Sequence, residues 1–265
     1  MKIGIIGAGI SGLAAAHRLT GQGHDVEVFE ASPFTAGLVS SFDLDGATVE
    51  KFYHFLCRGD DGYVALAKEL GLGDRIHWVS GTTGFYHDGH EYGFTTPIDL
   101  LRFSAIPFAQ RIRFGLFALE SRAREEWAQL DELRAKPWLI DRLGKRTYDV
   151  VWHPLLEMKF AGLHDQISAA WVWHRISRVA KSKGKLGYLE GGSDVFYNRL
   201  VESIRDRGGR IHTARPVRRI LESGGRVHGL DFADGTVVPC DHVISSTPLT
   251  TLARLLPPDW SEYAV

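Results

Sequence analysis

The sequence predicts an α/β fold in which a parallel sheet flanked by helices is joined to a β-meander and interrupted by a mainly helical insertion. Three observations predict it. The opening residues alternate strand, glycine-rich turn, helix and strand. The same alternation returns near residue 186 and ends in strand-rich sequence. Between these parts lies a helical stretch that contains Trp127, Trp138, Trp152, Trp171 and Trp173.

The N-terminal segment has the order of a Rossmann-like nucleotide-binding unit. Residues 2–6 (KIGII) form an apolar run typical of a buried strand, and residues 7–12 (GAGISG) follow it directly as G-x-G-x-x-G. We expect a helix over 13–19 and a second strand over 26–29, which ends at Glu30. This register predicts dinucleotide binding; the alternative is a structural strand-turn-helix with an unused glycine loop.

Each glycine of this motif, and the acid that follows it, has a structural role. Gly7 permits the tight turn, Gly9 lets backbone amides approach a diphosphate, and Gly12 lets the helix pack closely on the strand. The diphosphate would lie at the helix N-terminus, where free amides and the helix dipole favour negative charge. Glu30 would accept hydrogen bonds from the ribose and repel a ribose 2′-phosphate, which disfavours NADP and leaves FAD or NAD.

Composition excludes several other classes. The chain has 265 residues, of which 31 are basic and 32 acidic, so its charge gives no support for nucleic-acid binding. Cys57 and Cys240 form neither a redox pair nor a metal cluster, and the histidines lack ligand spacing, so we expect no metal and a reducing, cytoplasmic location. No apolar stretch is long enough to predict a transmembrane segment.

An apolar, arginine-flanked segment covers residues 107–124, with Phe108, Ile112, Leu116 and Leu119 on one helical stripe. Such a stripe is typical of a buried core helix, which is our expectation here. The alternatives are an interfacial helix, which would give peripheral membrane contact, or the wall of a lipophilic pocket.

The remaining patterns suggest a discontinuous nucleotide-binding domain. Asp45-Gly46 and Asp88-Gly89 predict hairpin turns, and Ser193 is expected to cap a helix whose apolar face includes Phe196. We expect residues 1–72 and 186–256 to form the nucleotide-binding domain, residues 73–185 an inserted substrate-type domain, and 257–265 a tail.

Four segments together resemble the FAD-dependent amine oxidase superfamily, notably protoporphyrinogen-oxidase-like and phytoene- or squalene-desaturase-like flavoproteins. They are GIIGAGISGLAAAHRLTGQGHDVEVFEAS, KFYHFL, LEGGSDVF and VISSTP, which are spread over nearly the whole chain. The resemblance implies an FAD cofactor. The cofactor-binding residues that it implies are Gly7, Gly9, Ile10, Ser11, Gly12, Glu30, Ala31, Gly37, Leu38 and Val217.

One departure and two ionisable residues bear on the flavin. In such families a second glycine pair followed by arginine approaches the diphosphate, whereas this chain has Ala36-Gly37-Leu38. The segment Lys51-Phe52-Tyr53-His54 resembles the one that approaches the flavin ring. His54 is therefore a candidate flavin-facing residue, with a packed loop histidine as the alternative. Lys159 is a second candidate, for which a solvated helix lysine is favoured; no catalytic residue is identified.

The resemblance implies an FAD-dependent oxidoreductase that takes a hydride from a C–N or C–C bond of a hydrophobic or ring-shaped small molecule. The alternatives are a non-redox flavoenzyme resembling UDP-galactopyranose mutase, a simple NAD dehydrogenase, and a non-catalytic nucleotide- or partner-binding remnant. The family's later Gly-Asp pair near the flavin does not follow Thr247-Pro248. We therefore expect a truncated or split member that needs a complementary chain or a homo-oligomer.

Overall fold

The computed structural model describes residues 1–52, 54–182, 185–257 and 260. The chain divides into two compact units: the first takes residues 1–54, 63–77 and those from 188 onward, and the second takes 55–62 and 78–187. Residues 55–62, which the sequence analysis assigned to the nucleotide-binding domain, thus group with the second unit. In the expected tail, residues 258, 259 and 261–265 lie outside the described part.

The strands of the structure include the two expected near the N-terminus, over residues 2–6 and 26–29, and the second of these begins at residue 25. Within the described residues they are β1 (Lys2–Ile6), β2 (Asp25–Phe29), β3 (Ser41–Leu44), β4 (Ala47–Glu50), β5 (Leu56–Cys57), β6 (Ile76–Ser80), β7 (Gly84–His87), β8 (His90–Gly93), β9 (Lys185–Leu189), β10 (Arg210–His212), β11 (Val217–Ser223), β12 (Arg226–Phe232), β13 (Val237–Pro239) and β14 (His242–Ser245).

Helices occupy both units. In the described residues they are α1 (Ile10–Gly21), α2 (Asp61–Glu69), α3 (Pro97–Arg102), α4 (Phe108–Ala123), α5 (Ala128–Asp131), α6 (Ala135–Leu143), α7 (Lys145–Thr147), α8 (His153–Phe160), α9 (Ala169–Ser182), α10 (Ser193–Asp206) and α11 (Leu249–Leu255). A π-helical turn, Tyr148–Trp152, precedes α8.

The first unit is built on a parallel sheet of order β10-β2-β1-β14. Ile5 of β1 is paired with Val28 on one side and Ile244 on the other. Such a sheet is covered on both faces, which explains why β1 is a continuous apolar run and not an alternating one. The predicted α/β class, with a parallel sheet, is confirmed.

Alternate residues of β1 face two different layers. Ile3 and Ile5 lie in the core cluster formed with α1 and α10, which includes Leu13 and Leu200. Ile6 lies in a second cluster, with residues of the meander β11-β12-β13. The predicted β-meander is therefore present, and the sheet is packed between it and the helices.

The hairpin predictions are confirmed, but the expected cap at Ser193 is wrong. Asp45 and Gly46 both have positive φ, +52° and +85°, as the tight turn between β3 and β4 requires. The N-cap of α10 is Gly192, and the Ser193 amide and hydroxyl both donate to a Glu50 carboxylate oxygen. The Ser193 hydroxyl therefore bonds to an acid that is far away in the sequence, and the local spacing of residues could not predict this partner.

The second unit packs its helices around aromatic residues, as the helical, tryptophan-rich stretch predicts. Helix α4 buries Phe114 and Phe117, whose rings contact Trp152 and Trp138 at centroid distances of 6.3 and 5.1 Å. The expectation that the stripe of Phe108, Ile112, Leu116 and Leu119 is the buried face is wrong, because all four side chains are exposed. The helix has two apolar faces, and the aromatic one fills the core.

Across the part of the chain that the structure describes, no helix has both the length and the apolar character needed to cross a bilayer. Cys57 and Cys240 are free and buried, and burial raises the pKa of both thiols.

Replacing Gly12 with alanine tests the contact between α1 and β1. The new Cβ would lie 2.0 Å from the Gly7 carbonyl oxygen, so we expect Gly12→Ala to lower the free energy of unfolding by about 3 kcal/mol or more. Gly62→Ala is the control, because a Cβ at Gly62 in α2 meets nothing within 4 Å and should stabilise the helix by roughly 0.5–1 kcal/mol. Urea unfolding measures both; equal stability of the two variants would contradict the prediction.

A second prediction concerns acid pH and Glu27 of β2. Burial raises the pKa of Glu27, but hydrogen bonds with Arg210 and His212 at 2.9 and 2.8 Å outweigh it, so the net shift is downward. A carboxyl whose folded pKa is lowered stabilises the fold at neutral pH and loses that contribution as the pH falls through the folded pKa.

We expect Glu27→Gln to lower the free energy of unfolding by roughly 1 kcal/mol at neutral pH and to weaken its dependence on pH in the acid range. Urea unfolding at a series of pH values measures both effects. Glu202→Gln is the control, since Glu202 pairs with Arg199 on the exposed surface of α10. A pH profile of the Glu27 variant parallel to that of the wild type would argue against this role.

Candidate functional site

The glycine loop leaves the N-terminus of α1 open. Gly7 has a φ of +98°, and a Cβ there would meet the Ser246 hydroxyl oxygen at 2.7 Å. Gly9 is the N-cap of α1 with no side-chain cap, and a Cβ on it would meet nothing within 4 Å. The first amides of a helix have no partner within the helix. The Ile10, Ser11 and Gly12 amides thus form a cradle next to open space at Gly9.

Glu30 lies directly beside this cradle. It follows β2, and its carboxylate accepts from the Ala8 amide at 2.8 Å and from the Ser32 amide and hydroxyl at 2.9 Å each. A carboxylate has about four acceptor positions. Three protein donors therefore leave capacity for a further donor, such as a sugar hydroxyl, while they hold the group against the loop.

The second glycine segment also reaches the loop. The Ala36 amide donates to the Ala8 carbonyl at 2.7 Å, and a Cβ on Gly37 would lie 3.5 Å from the Gly9 Cα. Ala36 itself has a φ of +77°, a left-handed conformation that glycine adopts more readily. The structure thus brings Gly37 to Gly9, while Leu38 is 71% exposed.

The strand start at Val217 is connected to the Glu30 segment. The Arg215 amide donates to the Glu30 carbonyl at 2.8 Å, and the Ala214 amide donates to the Ser32 carbonyl at 2.7 Å. Ala31, between these carbonyls, is exposed. Val217 is half-buried and is paired with Phe232 of β12, so its side chain also packs as an ordinary strand valine.

His54 is held by an acid in the first unit. Its backbone amide donates to the Glu50 carboxylate at 3.2 Å, whereas its ring Nδ1, at 3.6 Å from the same oxygen, is buried without a hydrogen bond in the described part of the chain. The contacts of His54 with Glu50 fit a packed loop histidine. Tyr53, beside it, lies outside the described residues.

The Glu50 charge also acts on Tyr63. Burial, together with this charge, raises the pKa of Tyr63 to about 12.

Lys159 is exposed on α8 in the second unit, as expected for a solvated helix lysine. No cluster of histidine, cysteine and acidic side chains suited to a metal ion occurs among the described residues.

The structure reveals three contacts that the sequence analysis missed. Ser32 and the Ala8 amide hold Glu30, and the Ser246 hydroxyl donates to the Gly7 carbonyl at 3.1 Å. The segment VISSTP pointed to the Ser246 region, but nothing in it distinguished Ser246 from Ser245. The Ala8 contact has no sequence signal, because any residue supplies an amide.

Exchange of the Glu30 carboxylate for an amide tests how the loop is held. Gln offers one acceptor oxygen and turns an NH₂ group toward the other donors, so Glu30→Gln should lower the free energy of unfolding by about 1–3 kcal/mol without any ligand. The control is Glu222→Gln, whose half-buried side chain accepts from the Gly225 amide in a turn. Urea unfolding compares them, and similar small losses in both would show that Glu30 does not brace the loop.

A family model for flavin-containing amine oxidoreductases matches residues 10–264. Among curated proteins, the chain is 26% identical over 298 residues to the chloroplastic/chromoplastic zeta-carotene desaturase of Zea mays. That alignment covers 99% of this chain and 52% of the maize protein. The chain thus spans about half the length of this relative.

Solved structures share the fold. An oxidoreductase from Methanosarcina mazei has a TM-score of 0.71 at 23% identity, over 97% of this chain and 61% of its own. Reduced UDP-galactopyranose mutase has a TM-score of 0.72 at 21% identity, over 99% of this chain and 59% of its own. At this level of identity the likeness shows the fold alone.

The family match covers all but ten residues of the chain, and it agrees with the resemblance carried by the four sequence segments. The open cradle at Gly9 and the braced Glu30 carboxylate suit the cofactor that this family carries. The chain therefore belongs to the flavin-containing amine oxidoreductases, and FAD is its cofactor.

Proposed function

We propose that the chain provides the FAD-holding part of an oxidoreductase that takes a hydride from a C–N or C–C bond of a hydrophobic or ring-shaped small molecule. The observation that carries the proposal is the uncapped N-terminus of α1 next to the Glu30 carboxylate. The helix N-terminus carries a partial positive charge that suits a diphosphate, and the nearby Glu30 carboxylate can accept hydrogen bonds from a ribose. An ADP group requires both contacts.

Different residues of the first unit would bind different parts of FAD. The Ile10, Ser11 and Gly12 amides would donate to the diphosphate, with Gly7 and Gly9 providing room for it. Glu30 would accept from the ribose hydroxyls, and Ala31 and Val217 would lie along the adenine. The backbone of Gly37 and Leu38 would approach the diphosphate, but without the arginine side chain that the family usually has there.

FAD, when bound, would supply the hydride acceptor of the reaction. The chain's own residues bind and orient it and exclude water. His54 carries no catalytic step in this proposal, because its amide and ring are packed against Glu50. We assign substrate contact to the helical second unit.

The substrate class is inferred from the relatives. The maize protein is named for a carotene, which supports a hydrophobic substrate and a C–C bond, while the family description, amine oxidoreductase, supports a C–N bond.

Flavin titration tests the cofactor assignment and the role of Gly9. Quenching of flavin fluorescence should saturate with the wild type, and Gly9→Ala should weaken binding by about tenfold or more, because a methyl group fills the space at the cradle. Gly9 has a φ of −70°, so alanine fits its backbone and the variant should fold. Gly62→Ala, in α2, is the matched control and should bind like the wild type.

Three outcomes would overturn the proposal. The first is absence of saturable flavin binding at micromolar protein. The second is reduction of NAD by substrate with no flavin bound. The third is turnover that depends on reduced flavin without net oxidation, which would assign the chain to mutase-like chemistry.

A further inference from the structure

The segments around the glycine loop are poor in positive charge. Residues 30–51 contain four acids and a single base, Lys51, and Leu38 stands where the family usually has an arginine. In residues 7–29 the single lysine or arginine is Arg18, which is paired with Glu69 of α2. A diphosphate is an anion, and a helix N-terminus supplies only roughly half a positive charge. The charge that the family's arginine would bring is therefore missing from its usual position.

The backbone of Lys51 is connected to the glycine loop. Lys51 directly follows β4, and its amide donates to the Ser40 carbonyl at 3.0 Å. Ser40 is buried, and its amide and hydroxyl both donate to the Gly37 carbonyl, at 3.3 and 2.7 Å. A Cβ on Gly37 would in turn lie 3.5 Å from the Gly9 Cα. Ser40 and Gly37 thus connect Lys51 to the cradle at Gly9.

The side chain of Lys51 lies over the segment between Glu30 and Gly37. Its ammonium is 3.7 Å from the centroid of the Phe34 ring. The Phe34 carbonyl accepts from the Ser32 hydroxyl at 2.7 Å, and the Ser32 amide donates to the Glu30 carboxylate at 2.9 Å. The positive charge of Lys51 is therefore held on the segment that joins the two ends of the candidate site.

The ammonium of Lys51 is not neutralised by a carboxylate in the described part of the chain. Glu50, its neighbour in sequence, accepts from the Ser193 amide and hydroxyl and from the His54 amide. The Phe34 ring is 46% exposed, and a cation–π contact at an exposed ring is weak. Because lysine has a flexible four-carbon stem, its ammonium can leave such a ring for an anion nearby.

A second basic residue at the site, Arg215, is already engaged. Its amide donates to the Glu30 carbonyl, but its guanidinium donates to the Asp234 carboxylate at 2.9 Å and to the Thr236 hydroxyl. The same guanidinium lies 4.7 Å from the centroid of the Phe232 ring. Movement of Arg215 toward a ligand would break an ion pair, whereas movement of Lys51 would break only a contact with a ring.

We propose that Lys51 supplies the positive charge for the diphosphate of FAD that the family takes from an arginine, and that its ammonium leaves the Phe34 ring when the cofactor binds. This role rests on the proposed function, because it concerns the same FAD site. Lysine binds phosphate as a point charge and does not need the fixed fork of a guanidinium. A lysine that approaches from β4 can therefore replace an arginine beside Gly37.

Flavin titration at low and high salt tests this role through binding and not through turnover. Lys51→Met removes the charge and keeps a flexible side chain. It should weaken FAD binding by about tenfold at about 0.01 M salt and by less than about twofold at about 1 M, because salt screens exposed charges. Lys51 is exposed, so the variant without ligand should keep the wild-type circular dichroism and unfolding midpoint.

Three further variants separate charge from bracing of the loop. Leu38→Arg, added to Lys51→Met, should restore most of the lost affinity, because Leu38 is 71% exposed and an arginine there returns the charge. Phe34→Leu should bind FAD as tightly as the wild type or up to about fivefold more tightly, since the ammonium no longer has a ring to leave. Lys68→Met, at an exposed position in the last turn of α2, is the matched control and should bind like the wild type at both salt concentrations.

The possible failures are distinguishable. Wild-type affinity in Lys51→Met at low salt would overturn the role of Lys51 and leave the proposed function intact. A loss of equal size at both salt concentrations that Phe34→Leu reproduces would also overturn it, because Lys51 would then only brace the loop through the ring. A wild-type protein that does not bind FAD would overturn the proposed function itself, and the role of Lys51 with it.

Discussion

The contact between the first turn of α1 and the end of β1 is the constraint on which the rest of the first unit depends. Gly12 lies so close to the Gly7 carbonyl that a Cβ would be 2.0 Å from its oxygen. This approach aims the uncapped helix N-terminus at the edge where the parallel strands end. Ser246, directly after β14, closes the same turn, since its hydroxyl donates to the Ile6 and Gly7 carbonyls. Two segments far apart in sequence, residues 6–12 and Ser246, therefore determine one loop.

Glu30 connects this loop to the neighbouring strand. Its carboxylate accepts from the Ala8 amide, and its backbone amide donates to the His212 carbonyl of β10 at 2.9 Å. The group is thus positioned before any ligand arrives, which lowers the entropy lost on binding. A pre-positioned carboxylate and an uncapped helix end therefore make a small polar site at the edge of the sheet.

The second unit uses its apolar residues differently. Helix α4 is apolar on two faces, and the aromatic residues Phe114 and Phe117 occupy the core because Trp138 and Trp152 lie opposite them. The aliphatic stripe is left at the surface next to arginines without ion-pair partners in the described residues.

The sequence by itself determined the class of fold and the position of the glycine loop, because both depend on local order. Strand, glycines, helix, strand and acid must follow one another within thirty residues, and the turns at Asp45-Gly46 need only the conformational preference of their own residues. Only the tertiary structure decided which distant groups the polar side chains bond to and which of the two apolar faces of α4 is buried. Ser193 donates to Glu50, which is 143 residues away, and α4 buries phenylalanines instead of its aliphatic stripe. Both outcomes depend on groups that folding brings together. The periodicity of a helix shows which residues share a face, but it does not show which groups pack against that face.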